Sequence, residues 1–254
     1  MDPATIIPVL LYHRIASAPD DPYAVPAAVF AADVQAILAS KRTALTISQL
    51  ADVRAGAAGD PNGYVAVTFD DGFAETLNAV RSLAALGLSA TVYVTTGWIG
   101  APGMLSSDQV KALSDLGDAV ELGAHTVSHP YLDELRRGEL DAETVGSRDA
   151  LRALGVPVRT FAYPHGAYDA SVQAAVIRAG FSSAAAVKNA LSHHRDDPWA
   201  VARYTVSQAT PREQVARLLE GRGAPLAWEQ ERWRTRGYRH ARRLSRRLRA
   251  GTKA

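Results

Sequence analysis

Two short stretches carry side chains able to hydrolyse a carbonyl compound. Thr68-Phe69-Asp70-Asp71-Gly72 ends an apolar run with adjacent carboxylates, and His125-Thr126-Val127-Ser128-His129 sets two imidazoles four residues apart. Two imidazoles with one carboxylate and a water form a sound catalytic zinc set. Such an ion lowers the pKa of its water and polarises a substrate carbonyl. Neighbouring side chains on extended backbone point to opposite faces, so Asp70 and Asp71 are expected to have different duties. Taken alone, Asp-Asp-Gly is equally a turn, and His-x-x-x-His in a chain with seven histidines is equally a pair of exposed loop residues. The buried-looking strand before Asp70 favours a site. The chain has no Cys, which excludes a disulfide scaffold, a thiol nucleophile, an iron–sulfur cluster and any thiolate zinc site. Any metal must be held by His, Asp and Glu.

These residues need elements that bring them together. Short β-branched runs recur at 6–12, 65–69, 90–96, 119–125, 159–163, 181–187 and 201–206. Helical periodicity follows most of them and stops at Gly: 73–86 before Gly87, 107–116 before Gly117, 139–154 before Gly155 and 169–179 before Gly180. Thr210-Pro211 reads as an N-cap and first helical position, with that helix ending at Gly221. Strand, helix, Gly, strand is the rhythm of parallel βα units, and about seven of them predict an α/β barrel or near-barrel. Ligands in such folds sit at the C-terminal strand ends. His13, Asp70-Asp71, His125, Tyr163-Pro164-His165-Gly166 and Arg203 all fall at or near those ends.

The 254 residues have the composition of a globular protein, and their net charge of +2 conceals two halves. Residues 1–221 carry 17 Lys/Arg against 24 Asp/Glu, whereas 222–254 carry 11 against 2. An acidic body, 1–221, thus precedes a basic tail, 222–254, that is expected to be helical, with Trp233, Ala241, Leu244 and Leu248 near one face. Each Arg of such a tail contributes about 1 kcal/mol near an anionic membrane, so residues 228–250 are read as a peripheral membrane contact. Nucleic acid is disfavoured because the acidic body offers no continuing basic groove. The N-terminal apolar run is too short to span a bilayer and lacks a basic leader, so the expected location is the cytoplasm, at the inner membrane surface if the tail binds there.

TFDDG (68–72), HTVSH (125–129) and FAYPHG (161–166), in that order, resemble the motifs of the NodB-homology polysaccharide deacetylases, the fourth carbohydrate esterase family. ATVYVTTGWIG (90–100) and LGDAVELGAHTVSHPYL (116–132) add to the likeness, which runs from about Leu11 to Val206. The resemblance implies a distorted (β/α)7 barrel and removal of an N- or O-acetyl group from a sugar. It implies that Asp70 is the general base and that Asp71, His125 and His129 hold a divalent metal, for which two imidazoles favour Zn2+. The family also suggests the backbone N–H of Tyr163 for the oxyanion.

Two departures stand out. Ala162 occupies a position where many members carry an Arg that braces the base; Arg159 and Arg203 are the substitutes on offer, and Arg203 is preferred because it comes from another strand at the same rim. The usual late Leu-x-His is missing after Arg203. Tyr12-His13 instead matches the poly-N-acetylglucosamine deacetylase branch, which makes His13 the first choice of general acid and His193 or His194 the second. Pro164, Trp98 and Trp199 are candidates to contact the sugar; Tyr23, Tyr168 and His165 are weaker ones. The substrate expected is an N-acetylated glycan, free or lipid-linked. The competing reading is a catalytically weak or inactive glycan-binding module, with its tail as a membrane or nucleic-acid adaptor.

Overall fold

A computed structural model describes residues 6–54 and 63–228. Seven of the apolar runs form parallel strands: β1 (Val9–Tyr12), β2 (Tyr64–Phe69), β3 (Ala90–Val94), β4 (Val120–Ala124), β5 (Thr160–Ala162), β6 (Ser183–Val187) and β7 (Val201–Thr205). Each pairs with the next in sequence, and β7 returns to β1 through Tyr204↔Leu10 and Thr205↔Leu11. The sheet therefore closes as the expected distorted (β/α)7 barrel. Its distortion has a visible cause. Strands β2 and β3 meet only at Thr68↔Thr91 and Phe69↔Val92, because a short strand, Thr43–Leu45, pairs with the lower half of β2. The β4–β5 seam is a single register pair, Ala124↔Phe161.

Alternation divides the core into two layers. Side chains facing outward, such as Leu10, Val67, Val92, Phe161 and Tyr163, pack under the surrounding helices. Those facing inward include Val9, Ala66, Tyr93, Ala162, Ala185 and Val201. The helices are α1 (Ala27–Ala39), α2 (Ile47–Arg54), α3 (Thr76–Ala85), α4 (Ser107–Ser114), α5 (Arg137–Ala153), α6 (Ala170–Arg178) and α7 (Gln214–Leu219). Helix α2 drives Ile47 and Leu50 into the inward cluster and so plugs the N-terminal mouth. Its first amides are capped by barrel residues: Ile47 N–H donates to Thr91 Oγ1 and Ser48 N–H to Glu121 Oε2, each at 2.9 Å. Burial raises the Glu121 carboxyl above its ordinary range, only partly countered by hydrogen bonds from the Ser48 amide and the Thr160 and Thr91 hydroxyls. With that mouth filled, the C-terminal rim is the open end.

Sequence periodicity did not reveal α1, α2 or the Thr43–Leu45 strand; α1 follows Pro26 with no side-chain cap and carries six alanines, which blur a polar face. The cap of α4 is Ser106, which forms a capping box with Gln109. Thr210 does not cap α7; its hydroxyl accepts from Ser207 N–H in the preceding turn. The body also continues past Gly221. Leu191 N–H donates to Pro225 O and Ala227 N–H to Leu191 O, which tie 225–227 to the barrel. The remainder of the tail, including most of 228–250, lies outside the described residues. No described helix is long and apolar enough to cross a membrane.

Candidate functional site

The open rim holds a cavity of about 590 Å³ lined by His13, Asp70, Asp71, His125, His129 and His165, with Tyr23, Asn189, Tyr204 and Thr210 among its other walls. Asp70 closes β2 and is fully buried. Arg203 Nη1 and Nη2 donate to its Oδ1 and Oδ2 at 2.6 and 2.8 Å, a bidentate pair. The guanidinium rests 5.3 Å from the Tyr93 ring centroid inside the barrel. Small residues make that space. A Cβ on Gly123 would meet the Tyr93 ring at 2.5 Å, and inward-facing Ala162 and Ala185 leave room for a long side chain arriving from β7. Arg203 thus lies beneath Asp70 and lines no part of the cavity, so it contacts the carboxylate and not a substrate. Arg159 is exposed and pairs with Asp52.

Burial would raise the Asp70 carboxyl; Arg203 and then His125 outweigh it and hold the group below its ordinary value. Asp71 adopts φ 73°, so simple alternation fails at this pair. The left-handed turn swings Asp71 back to the rim, where its Oδ1 stands 3.5 Å from His125 Nε2 and 3.3 Å from His129 Nε2. Burial raises this carboxyl too, but the His129, His125 and His13 imidazoles bring it down to about 2. His125 Nε2 also lies 3.7 Å from Asp70 Oδ2. Its Nδ1 is 2.8 Å from Ala162 O, which fixes the proton on Nδ1 and leaves the Nε2 lone pair facing the carboxylates. Burial lowers the His125 pKa, against the pull of Asp70 and Asp71, and favours this neutral form.

The ligand atoms of Asp71, His125 and His129 all lie within 4.8 Å of one another. Asp71 Oδ1 is buried without a hydrogen-bond partner. One orphaned carboxylate oxygen facing two imidazole nitrogens is the donor set a divalent cation requires. His125 and His129 come together through a loop, not a helix: Thr126 (φ 68°) and His129 (φ 60°) are both left-handed, and His129 N–H donates to Thr126 Oγ1. Trp98 leans on His129 at 5.2 Å between centroids, and His165 meets the same imidazole at 4.5 Å while stacking on Tyr131. Burial, then His129, lowers His165 to about 4.

His13 stands at the end of β1 on the cavity wall, its ring 4.9 Å from that of half-exposed Tyr23 and its buried Nδ1 without a partner. His193 and His194 lie elsewhere. His193 pairs with Ile6 at the opposite end of the barrel, and its Nε2 is 3.0 Å from Ala227 O. Tyr163 faces outward; its N–H donates to Ala185 O at 3.1 Å and its hydroxyl to Trp199 O at 2.8 Å. An amide already bonded in the sheet is not available to an oxyanion. Trp199 precedes β7 at the closed end, Tyr168 stacks on Tyr163, and buried Pro164 shapes the following turn; none of the three lines the cavity. The wall residues Asn189, Tyr204 and Thr210 had no motif to mark them.

A parallel seven-stranded barrel with an Asp-Asp pair facing two imidazoles on its C-terminal rim defines the NodB-homology class. The chain belongs to the polysaccharide deacetylase family, which matches residues 57–184. A polysaccharide deacetylase from Bacillus cereus is similar at 26% identity and TM-score 0.74, covering 84% of this chain and 69% of its own. Streptococcus pyogenes deacetylase PplD, solved with acetate, has 21% identity and TM-score 0.74, covering 83% and 96%. A de-N-acetylase from Aggregatibacter actinomycetemcomitans has 18% identity and TM-score 0.70, covering 81% and 97%; these last two share the fold. A comparison with curated proteins finds no match.

Proposed function

We propose that the protein is a metal-dependent hydrolase that removes the N-acetyl group from an N-acetylhexosamine-containing glycan. One observation carries the reading: a buried carboxylate, Asp70, is gripped by Arg203 directly beside the Asp71, His125, His129 donor set. A divalent cation held there, with Zn2+ preferred by two imidazoles, supplies Lewis acidity toward water and the acetyl carbonyl.

The residues divide the remaining work. Asp70 accepts the proton of the attacking water as a C–O bond forms at the carbonyl carbon. Arg203 keeps that carboxylate ionised and fixed in direction, since both of its oxygens are engaged from below. The C–N bond then breaks, and an amine leaves readily only if protonated. His13, at the end of the neighbouring strand β1, supplies that proton, and acetate and the free amine depart. The need for such an acid is what favours an N-acetyl over an O-acetyl substrate. The neutral wall of Tyr23, Asn189, Tyr204 and Thr210 suits sugar hydroxyls and ring faces. The glycan is free or lipid-linked, and in the second case the basic tail would hold the enzyme at an anionic surface.

The test is acetate release from N-acetylhexosamine oligomers and their lipid-linked forms. Activity should vanish with a chelator, return with Zn2+, and fall by about 10²–10⁴-fold in Asp70→Asn with metal content unchanged. Chelator-resistant turnover, or no acetate from any such substrate, would refute the reading.

A further inference from the structure

The backbone between His125 and His129 is gripped from two sides, and one grip belongs to helix α5. Val127 and Ser128 N–H both donate to Glu143 Oε2, at 2.8 and 2.9 Å. The Ser128 hydroxyl donates to Glu143 Oε1 at 2.5 Å. All three donors come from the loop. On its other side, Gly97 N–H donates to Val127 O at 2.8 Å, and a Cβ on Gly97 would fall 2.5 Å from that oxygen. Gly146, three residues beyond Glu143 on the same face of α5, leaves space for the Val127 side chain; a Cβ there would lie 3.2 Å from Val127 Cγ2.

This clamp has something to hold. Thr126 and His129 are non-glycine residues in the left-handed region, which persist only where the surroundings over-determine them. Released, the loop would relax and carry His129 Nε2 away from Asp71. Two consecutive amides aimed at one carboxylate oxygen oppose that relaxation, and the Ser128 hydroxyl fixes the second oxygen.

We propose that Glu143 is a positioning residue for the metal-binding loop: its carboxylate holds the Val127 and Ser128 amides so that His125 and His129 face Asp71 before any ion arrives, and it thereby sets metal affinity. This rests on the metal reading above and is independent of which substrate is hydrolysed. Geometry, not charge, is the operative property. A glutamine keeps an acceptor oxygen for both amides, and its NH2 can donate to a rotated Ser128 hydroxyl.

The experiment measures Zn2+ affinity of the full chain by competition with a chromophoric chelator, alongside the melting temperature of the metal-free protein. Outer partners of metal ligands are worth about 10–100-fold in affinity, so Glu143→Ala should weaken Zn2+ binding by that order. Glu143→Gln should stay close to the parent, and Ser128→Ala, which removes one of three bonds, should fall between them. If Glu143→Ala fails to fold, the Gln and Ser128 variants decide the matter. Unchanged affinity in Glu143→Ala, a purely thermal effect, or equal loss in the Ala and Gln variants overturns the proposal. A parent chain that binds no divalent ion overturns the metal assignment itself, and the clamp with it.

Discussion

The two walls of the cavity are built on opposite plans. On the Asp71 side the ligand atoms stay open but the groups that carry them are held: Arg203 grips Asp70, Ala162 O fixes the His125 tautomer, and Glu143 ties down the loop. On the His13 side the imidazole has one nitrogen with no partner and a half-exposed tyrosine against its face. That wall is braced at a distance. Gln208 Nε2 donates to Ala18 O and Asp21 O at 2.7 and 2.9 Å, joining the loops after β1 and β7. The buried carboxyls show the same contrast. Asp70 is kept below its ordinary value chiefly by Arg203 and Asp71 by the neighbouring imidazoles, whereas Asp33, behind β1, is pushed by burial up to about 6 and accepts a hydrogen bond from the Tyr12 hydroxyl. Charge is held where a base and ligands need it, and freedom is left where a substrate has to enter.

Breaking the committed wall should cost the most. Arg203→Met leaves Asp70 buried and unpaired, which should lower stability by about 3–5 kcal/mol in denaturant unfolding and abolish turnover. Adding Asp70→Asn should recover part of that stability, because the uncompensated charge disappears; additive losses would mean the two side chains act separately.

The open wall predicts a smaller and more selective effect. His13→Gln should fold normally and slow hydrolysis of the N-acetyl substrate by about 10²-fold or more. An activated acetate ester, whose leaving group needs no proton, should be nearly unaffected. Equal losses on both substrates would place the acid elsewhere.

The smallest effect concerns Asp33. Its folded pKa of about 6 exceeds the unfolded value of 3.8, so the folded state binds the proton more tightly. The stability this contributes is complete below pH ~4 and is lost as pH rises through 6. Asp33→Asn should therefore match the parent at pH 4 and exceed it at pH 8. With the carboxyl partly solvated, the gain is about 1 kcal/mol, below the ~3 kcal/mol ceiling that two pKa units imply. A melting difference that does not vary with pH would contradict the assignment.

Much of this arrangement could be read along the chain. The β-branched runs marked all seven barrel strands, because a strand buried on both faces needs a continuous apolar stretch whatever its neighbours are. TFDDG and HTVSH marked a rim with metal-binding chemistry, since residue type and strand-end position are local properties. Other expectations failed where folding in three dimensions intervened. Tyr163 looked available until its amide proved to be part of the β5–β6 ladder. His193 and His194 looked close to the rim, but the chain runs back to the closed end before β7 begins. Alternation sent Asp71 away from Asp70, and a left-handed turn brought it back.

Local patterning thus sufficed for the seven barrel strands, the ligand types and the family, for each depends on residues within a few positions of one another. The partnerships did not. Arg203 reaches Asp70 across 133 residues inside the barrel, resting on the Tyr93 ring that Gly123 on the next strand leaves room for. Glu143 reaches the metal loop because α5 lies against the turn after β3 and β4. Such complementarity of space and hydrogen-bonding direction exists only once the barrel has closed.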